Sequence, residues 1–382
     1  MTDPRIAKGI EHAVETGEVG MQVVAYVGED VIVDECIGSK VRGEDNPVGP
    51  NDMFPIFSVT KAVTATALHI QAERGLVSYD APVARYWPEY GAHGKEKTQV
   101  RDVLMHRAGI PQMPEGVTLT QALDWDWITS HHAALEPWFE PGTTNAYHSI
   151  NWGWLVGEIV RRTDPKNRPF GEFVRQEICE PLGIEDLYIG IPASVKDRVG
   201  TLVSDVEAVP LGDDPLRNAA MPVTIGLVPE IYNRLDVQQA CNPGAGGIAS
   251  ARAVARLFAL LANRGQLGGV RLLSEERLLS LTRPRDDAEV PDKMSGSVRW
   301  IGVGGYWLGS VGDEGNPLVG RGPHILEHGG AGGSYGWADL DTGLAVGITH
   351  NRMFQSEGMS LEDHPFGQLA EAIREVAKER SS

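Results

Sequence analysis

The run from 58 to 74 leaves this chain few ways to fold. Its Ala, Leu, Ile and Val residues fall nearly all round a helical wheel, and a helix that is apolar on every side has to lie inside a core. Gly75 is a good terminator for it. At the mouth of the run, Ser58 and Lys61 stand three residues apart, and residues at i and i+3 share a helix face. A helix N-terminus also offers free backbone N–H groups and the positive end of the dipole, which favour developing negative charge. A serine nucleophile needs a nearby base and a place for an oxyanion. The stretch Phe57-Ser58-Val59-Thr60-Lys61-Ala62 is therefore the first candidate for chemistry. Taken alone, Ser58 and Lys61 read better as an N-cap and a snorkelling lysine.

The elements that wrap this helix follow from periodicity. Residues 5–16 form a short amphipathic helix. Residues 21–27 and 31–38, separated by Gly28-Glu29-Asp30, form a β-hairpin. Residues 51–57 make an extended approach to Ser58. Helices are predicted over 98–105 (capped by Thr98), 152–162 and 170–178. Residues 111–145 are rich in Trp, Pro and His without clear period and read as a loop, either a pocket wall or an ordinary surface stretch. Residues 242–250 read as a tight loop whose Ser250 caps a helix over 251–264. The stretch 282–300 reads as charged and flexible. Strand patterns return at 301–308, 325–328, 334–339 and 344–350, with Asp341-Thr342-Gly343 as a hairpin turn, before a last amphipathic helix over 365–378. Strands at both ends and helices between them predict an α+β fold. An antiparallel sheet built from both chain ends is flanked by helices and carries a mainly helical insertion. The expected division is 1–80 with 200–382 as the sheet domain and 81–199 as the helical one, with the active site at their interface.

Charge and composition exclude several function classes. A net charge of −18 with no basic block disfavours nucleic acid and anionic membrane surfaces as partners. No run of eighteen apolar residues predicts a transmembrane helix, and residues 1–15 contain no apolar signal core, so a cytoplasmic location is expected. Cys36, Cys179 and Cys241 are far apart, odd in number and without metal spacing, which reads as reduced thiols. His131, His132 and His148 lack partners at ligand spacing, so neither a metal nor another cofactor is expected.

Three stretches line up in order: Ser58-Val59-Thr60-Lys61, an S-x-x-K element; Tyr147-His148-Ser149 after Pro-Gly-Thr; and His328-Gly329-Gly330 ahead of a strand. Together they resemble the serine β-lactamase-like superfamily, which includes class C β-lactamases, penicillin-binding proteins and family VIII carboxylesterases. His106-Arg107-Ala108-Gly109-Ile110 and Pro181-Leu182-Gly183 add to the likeness, which runs from about residue 15 to 353. Two motifs depart from the lactamases. Their Tyr-x-Asn is Tyr147-x-Ser149 here, and their Lys-Thr-Gly is His328-Gly329-Gly330. A histidine holds a substrate carboxylate less firmly than a lysine, so the departures point to the esterase branch.

The resemblance implies an acyl-enzyme on Ser58, with Lys61 and Tyr147 sharing the proton work. It makes Tyr147 the direct partner of Ser58 and of the leaving group, tuned by Lys61; which of the two takes the first proton stays open. It also implies an oxyanion hole from the N–H groups of Ser58 and Ala331, and a wall of His328, Gly329 and Gly330 that orients substrate. Ser149 either faces the site or caps the next helix. The expected activity is hydrolysis of short-chain or small aromatic esters, the partner being a small-molecule ester. The alternatives are a β-lactamase, D-amino peptidase or amidase, an acyltransferase, and a catalytically idle module. Oligomeric state is open, a homodimer included. One decoy is present: Gly332-Gly333-Ser334-Tyr335-Gly336 matches G-x-S-x-G. That elbow needs a helix after its serine, whereas a strand pattern follows here.

Overall fold

The computed structural model describes residues 3–205, 214–309, 316–355 and 359–381. The expected sheet is there. Its strands are β1 (Gly20–Val27), β2 (Asp30–Gly38), β6 (Trp307–Leu308), β7 (Ile325–Gly329), β8 (Tyr335–Asp339) and β9 (Leu344–His350), in the order β2-β1-β9-β8-β7-β6. Every pairing is antiparallel, and the two chain ends meet where Met21 faces His350 and Val27 faces Leu344. A smaller sheet joins β3 (Phe54–Phe57), β5 (Gly247–Ala249) and β4 (Leu187–Ile189), with β5 in the middle. Five helices matter for the site and core: α1 (Pro4–Glu15), α2 (Thr60–Glu73), α3 (Trp152–Thr163), α4 (Ala251–Ala262) and α5 (Gly367–Ser381).

The period-2 pattern of β1 sorts its side chains to two cores. Met21, Val23 and Ala25 pack with Ile6 and Ala13 of α1 and with Leu369 and Ile373 of α5. Val24 and Tyr26 face the other way, toward Val254, Leu257, Phe258 and Leu261 of α4. The helix comes very close to the sheet there. A Cβ on Gly347 would lie 2.6 Å from the Ala251 carbonyl oxygen, so glycine in β9 sets that spacing. Ser250 caps α4 as expected, its side chain accepting from the Ala253 N–H at 3.2 Å.

Helix α2 lies in the middle of the molecule with every residue from Thr60 to Ala72 buried. Its polar side chains are there because surrounding loops supply partners, as buried polar groups require. Thr64 Oγ1 donates to Pro243 O at 2.8 Å, and Thr66 Oγ1 bonds both Ala62 O and Tyr306 Oη at 2.8 Å. His69 reaches Tyr79 Oη and Gly304 O at 2.8 and 2.9 Å, and Gln71 reaches Thr163 Oγ1 at 3.1 Å.

Several local expectations are corrected. The 111–145 stretch contains two short helices, Leu119–Ala122 and Trp125–Ala133, the second capped by Asp124 accepting from the Trp127 N–H at 3.0 Å. The loop 242–250 contains β5. Thr98 does not cap its helix, which begins at Val100 with Asp102 Oδ2 accepting from the Gln99 N–H at 2.8 Å. Of 301–308, only β6 is strand. The stretch 282–300 is charged but not merely surface: Arg285 and Asp292 are both fully buried. Among the described residues, no helix is long and apolar enough to cross a membrane.

Candidate active site

Strand β3 delivers the chain to the mouth of α2 through a sharp turn. Phe57, its last residue, has a φ of 44°. That left-handed conformation costs a bulky residue roughly 1–3 kcal/mol, and packing holds it: the Phe57 ring lies against Tyr232 with centroids 4.7 Å apart. Thr60 Oγ1 fastens the turn by donating to Phe57 O and accepting from the Gly247 N–H at 2.9 Å. Ser58 therefore sits just ahead of α2, buried but still lining a cleft of about 1600 Å³.

Lys61, one helical turn on, is fully buried. Its Nζ lies 3.0 Å from Ser58 Oγ, 2.8 Å from Ser149 O and 2.9 Å from Gly244 O. Among the described residues it has no carboxylate partner. Burial without a counter-charge disfavours the ammonium and pulls the amine down to about 7. In the neutral form, two N–H bonds satisfy the two carbonyls and the lone pair is left for the Ser58 hydroxyl.

Tyr147 comes from the loop ahead of α3. Its Oη lies 3.5 Å from Ser58 Oγ, a long contact of the kind that tightens when substrate binds. The ring is held between the His106 imidazole, with centroids 4.6 Å apart, and the edge of Trp307 at 5.8 Å. The Arg299 guanidinium carbon stands 5.2 Å from the centres of both the Tyr147 and Trp307 rings, within cation–π range. Burial pushes the phenol up to about 12, against the lowering influence of its Ser58 hydrogen bond and of Arg299, while Asp292 adds to the rise. Lys61 and Tyr147, which start from nearly equal ordinary values, are thus driven far apart.

The opposite wall is the turn after β7. A Cβ on Gly330 would fall 2.4 Å from the Ile56 carbonyl oxygen. Glycine there lets the backbone at 330–331 lie directly against β3, beside Ser58, and the Gly330 N–H is tied to Ser334 O at 2.8 Å. Gly329, Gly330 and Ala331 line the cleft together with Ser58, Tyr147 and Ser149.

His328 stands behind this wall rather than on it. It is fully buried and stacks on Trp307 with ring centroids 4.4 Å apart; Trp307 is the residue that reaches the cleft. Its Nδ1 donates to Gly329 O at 2.9 Å, and Nε2 has no protein partner among the described residues. Burial, with Lys61 and Arg299 nearby, holds its pKa well below the ordinary value, so it is neutral and offers no charge to an anion. Ser149 takes part through its main-chain carbonyl, the acceptor for Lys61. Ser334 is buried at the turn entering β8, a strand and not the helix a nucleophile elbow needs.

Sequence reasoning missed Gly244, Trp307, Arg299 and Asp292, whose Oδ1 accepts from the Tyr147 N–H at 3.0 Å. Asn242-Pro243-Gly244 does mark a turn, but turn residues do not say which carbonyl points inward.

The geometry has counterparts among known proteins. A family model described as Beta-lactamase matches residues 6–364. Esterase/beta-lactamase LipL of Mycobacterium tuberculosis is 33% identical over 371 residues, which cover 94% of this chain and 82% of that protein. Esterase EstB of Burkholderia gladioli is 26% identical over 389 residues, 94% of this chain and 90% of its own. A crystal structure of a family VIII carboxylesterase superposes with a TM-score of 0.87 at 30% identity, covering 98% of each chain. A penicillin-binding protein homolog from Caulobacter crescentus superposes at 0.85 with 28% identity, over 99% of this chain and 98% of that one. With a match of this extent, and with the S-x-x-K serine, its lysine and the tyrosine gathered at one cleft, the chain belongs to the beta-lactamase family.

Proposed function

We propose that this protein is a serine carboxylesterase that forms an acyl-enzyme on Ser58. The observation that carries the reading is the Lys61 amine, buried, 3.0 Å from Ser58 Oγ and without a counter-ion among the described residues. As Oγ attacks the ester carbonyl, the neutral amine takes its proton. The N–H groups of Ser58 and Ala331 receive the oxyanion, each such donor being worth roughly 3 kcal/mol in the transition state. The tetrahedral intermediate expels the alkoxide, which takes the phenolic proton of Tyr147. The Lys61 ammonium then returns its proton to the phenolate, which restores the neutral amine and the phenol. Water repeats the sequence on the acyl-enzyme, releasing the acid and restoring Ser58.

The esterase reading is supported by the names of EstB and the family VIII structure, with LipL named for both activities, and by a neutral, buried His328 where a lactamase has lysine. Leu202, Met221, Leu227 and Trp307 on the cleft walls suit short acyl or small aromatic groups. Ser58 belongs to the sheet-bearing unit, 1–80 with 200–382, and Tyr147 to the helical unit, 81–199; in this reading the cleft between them is the catalytic one. Purified protein is expected to hydrolyse p-nitrophenyl acetate and butyrate and to leave nitrocefin essentially untouched. Comparable turnover of nitrocefin would overturn the assignment, and acyl transfer to an added alcohol outpacing hydrolysis would make the protein a transferase.

The pH profile follows from the lysine. Below about 7 Lys61 gains a proton and loses its lone pair, so kcat is expected to fall with acidification, approaching tenfold per pH unit. A kcat that stays flat down to pH 5 would remove Lys61 as the base.

A further inference from the structure

The tyrosine at this site hangs from a buried ion pair on a segment the chemistry does not otherwise use. Arg285 and Asp292 are both fully enclosed, with Nη2 and Oδ2 3.6 Å apart. The pair is fixed from both sides. Arg285 Nη1 donates to Met105 O at 2.8 Å, and the Arg285 N–H to Ile301 O at 2.9 Å. Asp292 Oδ1 accepts from two backbone N–H groups, Met294 at 2.9 Å and Tyr147 at 3.0 Å. The loops are laced together around that contact: Lys293 N–H donates to Asn145 O at 3.0 Å, Asn145 Nδ2 to Asp287 O at 2.7 Å and Arg107 Nη1 to Asp286 O at 2.8 Å.

A buried ion pair is a poor way to gain stability, because desolvation offsets most of the attraction, and its best-attested use is to fix one arrangement among several. Here the arrangement it fixes is the backbone of Tyr147. The Tyr147 side chain faces Ser58 and Lys61 on one side and His106, Trp307 and Arg299 on the others, and its long reach to Ser58 leaves little tolerance for drift.

Building on the acyl-enzyme reading, we propose that Asp292, clamped by Arg285, is a positioning residue that sets the Tyr147 hydroxyl over Ser58 through the Tyr147 N–H. What matters is the acceptor oxygen; the charge serves to hold it.

Two double variants separate these. Arg285→Gln/Asp292→Asn and Arg285→Gln/Asp292→Ala both remove the two charges and leave no unpaired buried ion; only the first keeps an oxygen for the Tyr147 N–H. The alanine double is expected to show kcat on alkyl esters at least tenfold below the asparagine double, with KM within about twofold. Equal kcat in the two would overturn the proposal. Should the alanine double lack a cooperative unfolding transition, Asp292→Glu carries the test. It keeps the ion pair and displaces the acceptor by one methylene, and undiminished kcat there would overturn the proposal as well. Ser58→Ala assayed alongside keeps the two ideas apart. Surviving turnover in Ser58→Ala sinks the acyl-enzyme reading itself, whereas its loss together with equal doubles sinks only the role of Asp292.

Discussion

Ser58→Ala is expected to lower ester turnover by about 10⁴-fold or more, the scale seen when a serine nucleophile is deleted, with no change in fold. Ser334→Ala, the other serine in a recognisable motif, is expected to stay within a few-fold of wild type. The physical contrast between them is large. Ser58 has a buried lysine amine at 3.0 Å, a phenol at 3.5 Å and an open cleft in front of it. Ser334 is buried at the turn entering β8, where its carbonyl fixes Gly330. Its contribution is to the wall beside Ser58, not to bond making. A fluorophosphonate probe should label wild type and Ser334→Ala but not Ser58→Ala. The reverse pattern in either assay would sink the mechanism.

Lys61→Ala and Tyr147→Phe are each expected to cost on the order of 10² or more in kcat, but in distinguishable ways. In the proposed mechanism, Lys61→Ala removes the base for every substrate. It also strands the Ser149 and Gly244 carbonyls, which lose a buried donor, so the melting temperature should fall too. Tyr147→Phe keeps the ring between His106, Trp307 and Arg299 and loses only the hydroxyl, so stability should hold. Its defect should depend on the leaving group. Ethyl and butyl esters expel alkoxides that need a proton, whereas p-nitrophenolate leaves without one. In the acylation step, read as kcat/KM or as the burst of the first turnover, the Tyr147→Phe penalty is therefore expected to shrink sharply on p-nitrophenyl esters and the Lys61→Ala penalty to persist. Near-normal turnover of alkyl esters by Tyr147→Phe would take the phenol out of the proton path. Equal kcat/KM penalties on both ester types would remove it as the donor to the alcohol leaving group.

The parts of this molecule that repeat a period were legible in the sequence. The β-rich runs of β1, β2, β8 and β9, with turn residues between them, marked the sheet, and the Ala, Leu, Ile and Val spread nearly all round α2 forecast its burial. Ser58 and Lys61 were readable because their geometry is local, three residues along one helix. Tyr147 needed a motif, since nothing in its own segment ties it to residue 58. What could not be read depends on how loops turn. The carbonyls of Ser149 and Gly244 act through backbone direction, which residue identity does not encode. Asp292 sits among Asp286, Asp287 and Glu289, and a carboxylate in such company reads as a solvated one until the fold encloses it beside Arg285. His328 misled in the opposite sense: its motif position marks the wall correctly, but stacking on Trp307 turns the imidazole away from the cleft. The helices at Leu119–Ala122 and Trp125–Ala133 were hidden because four and nine residues are too few to show a convincing period.

The burial of α2 on all sides has a bearing on how such a protein can diversify. A helix with no solvent face tolerates changes of volume or polarity poorly, because each disturbs several neighbours at once, so the Ser58–Lys61 pair is anchored to a constrained part of the chain. Many of the side chains that line the cleft come instead from loops and short turns: Leu202, Met221, Leu227 and Met294 among them. Those segments can lengthen, shorten or change composition at small cost to the fold. Reactivity and selectivity are therefore written in separate parts of the molecule, and new substrate preferences can be reached by exchanging the loops while the reacting atoms stay where they are.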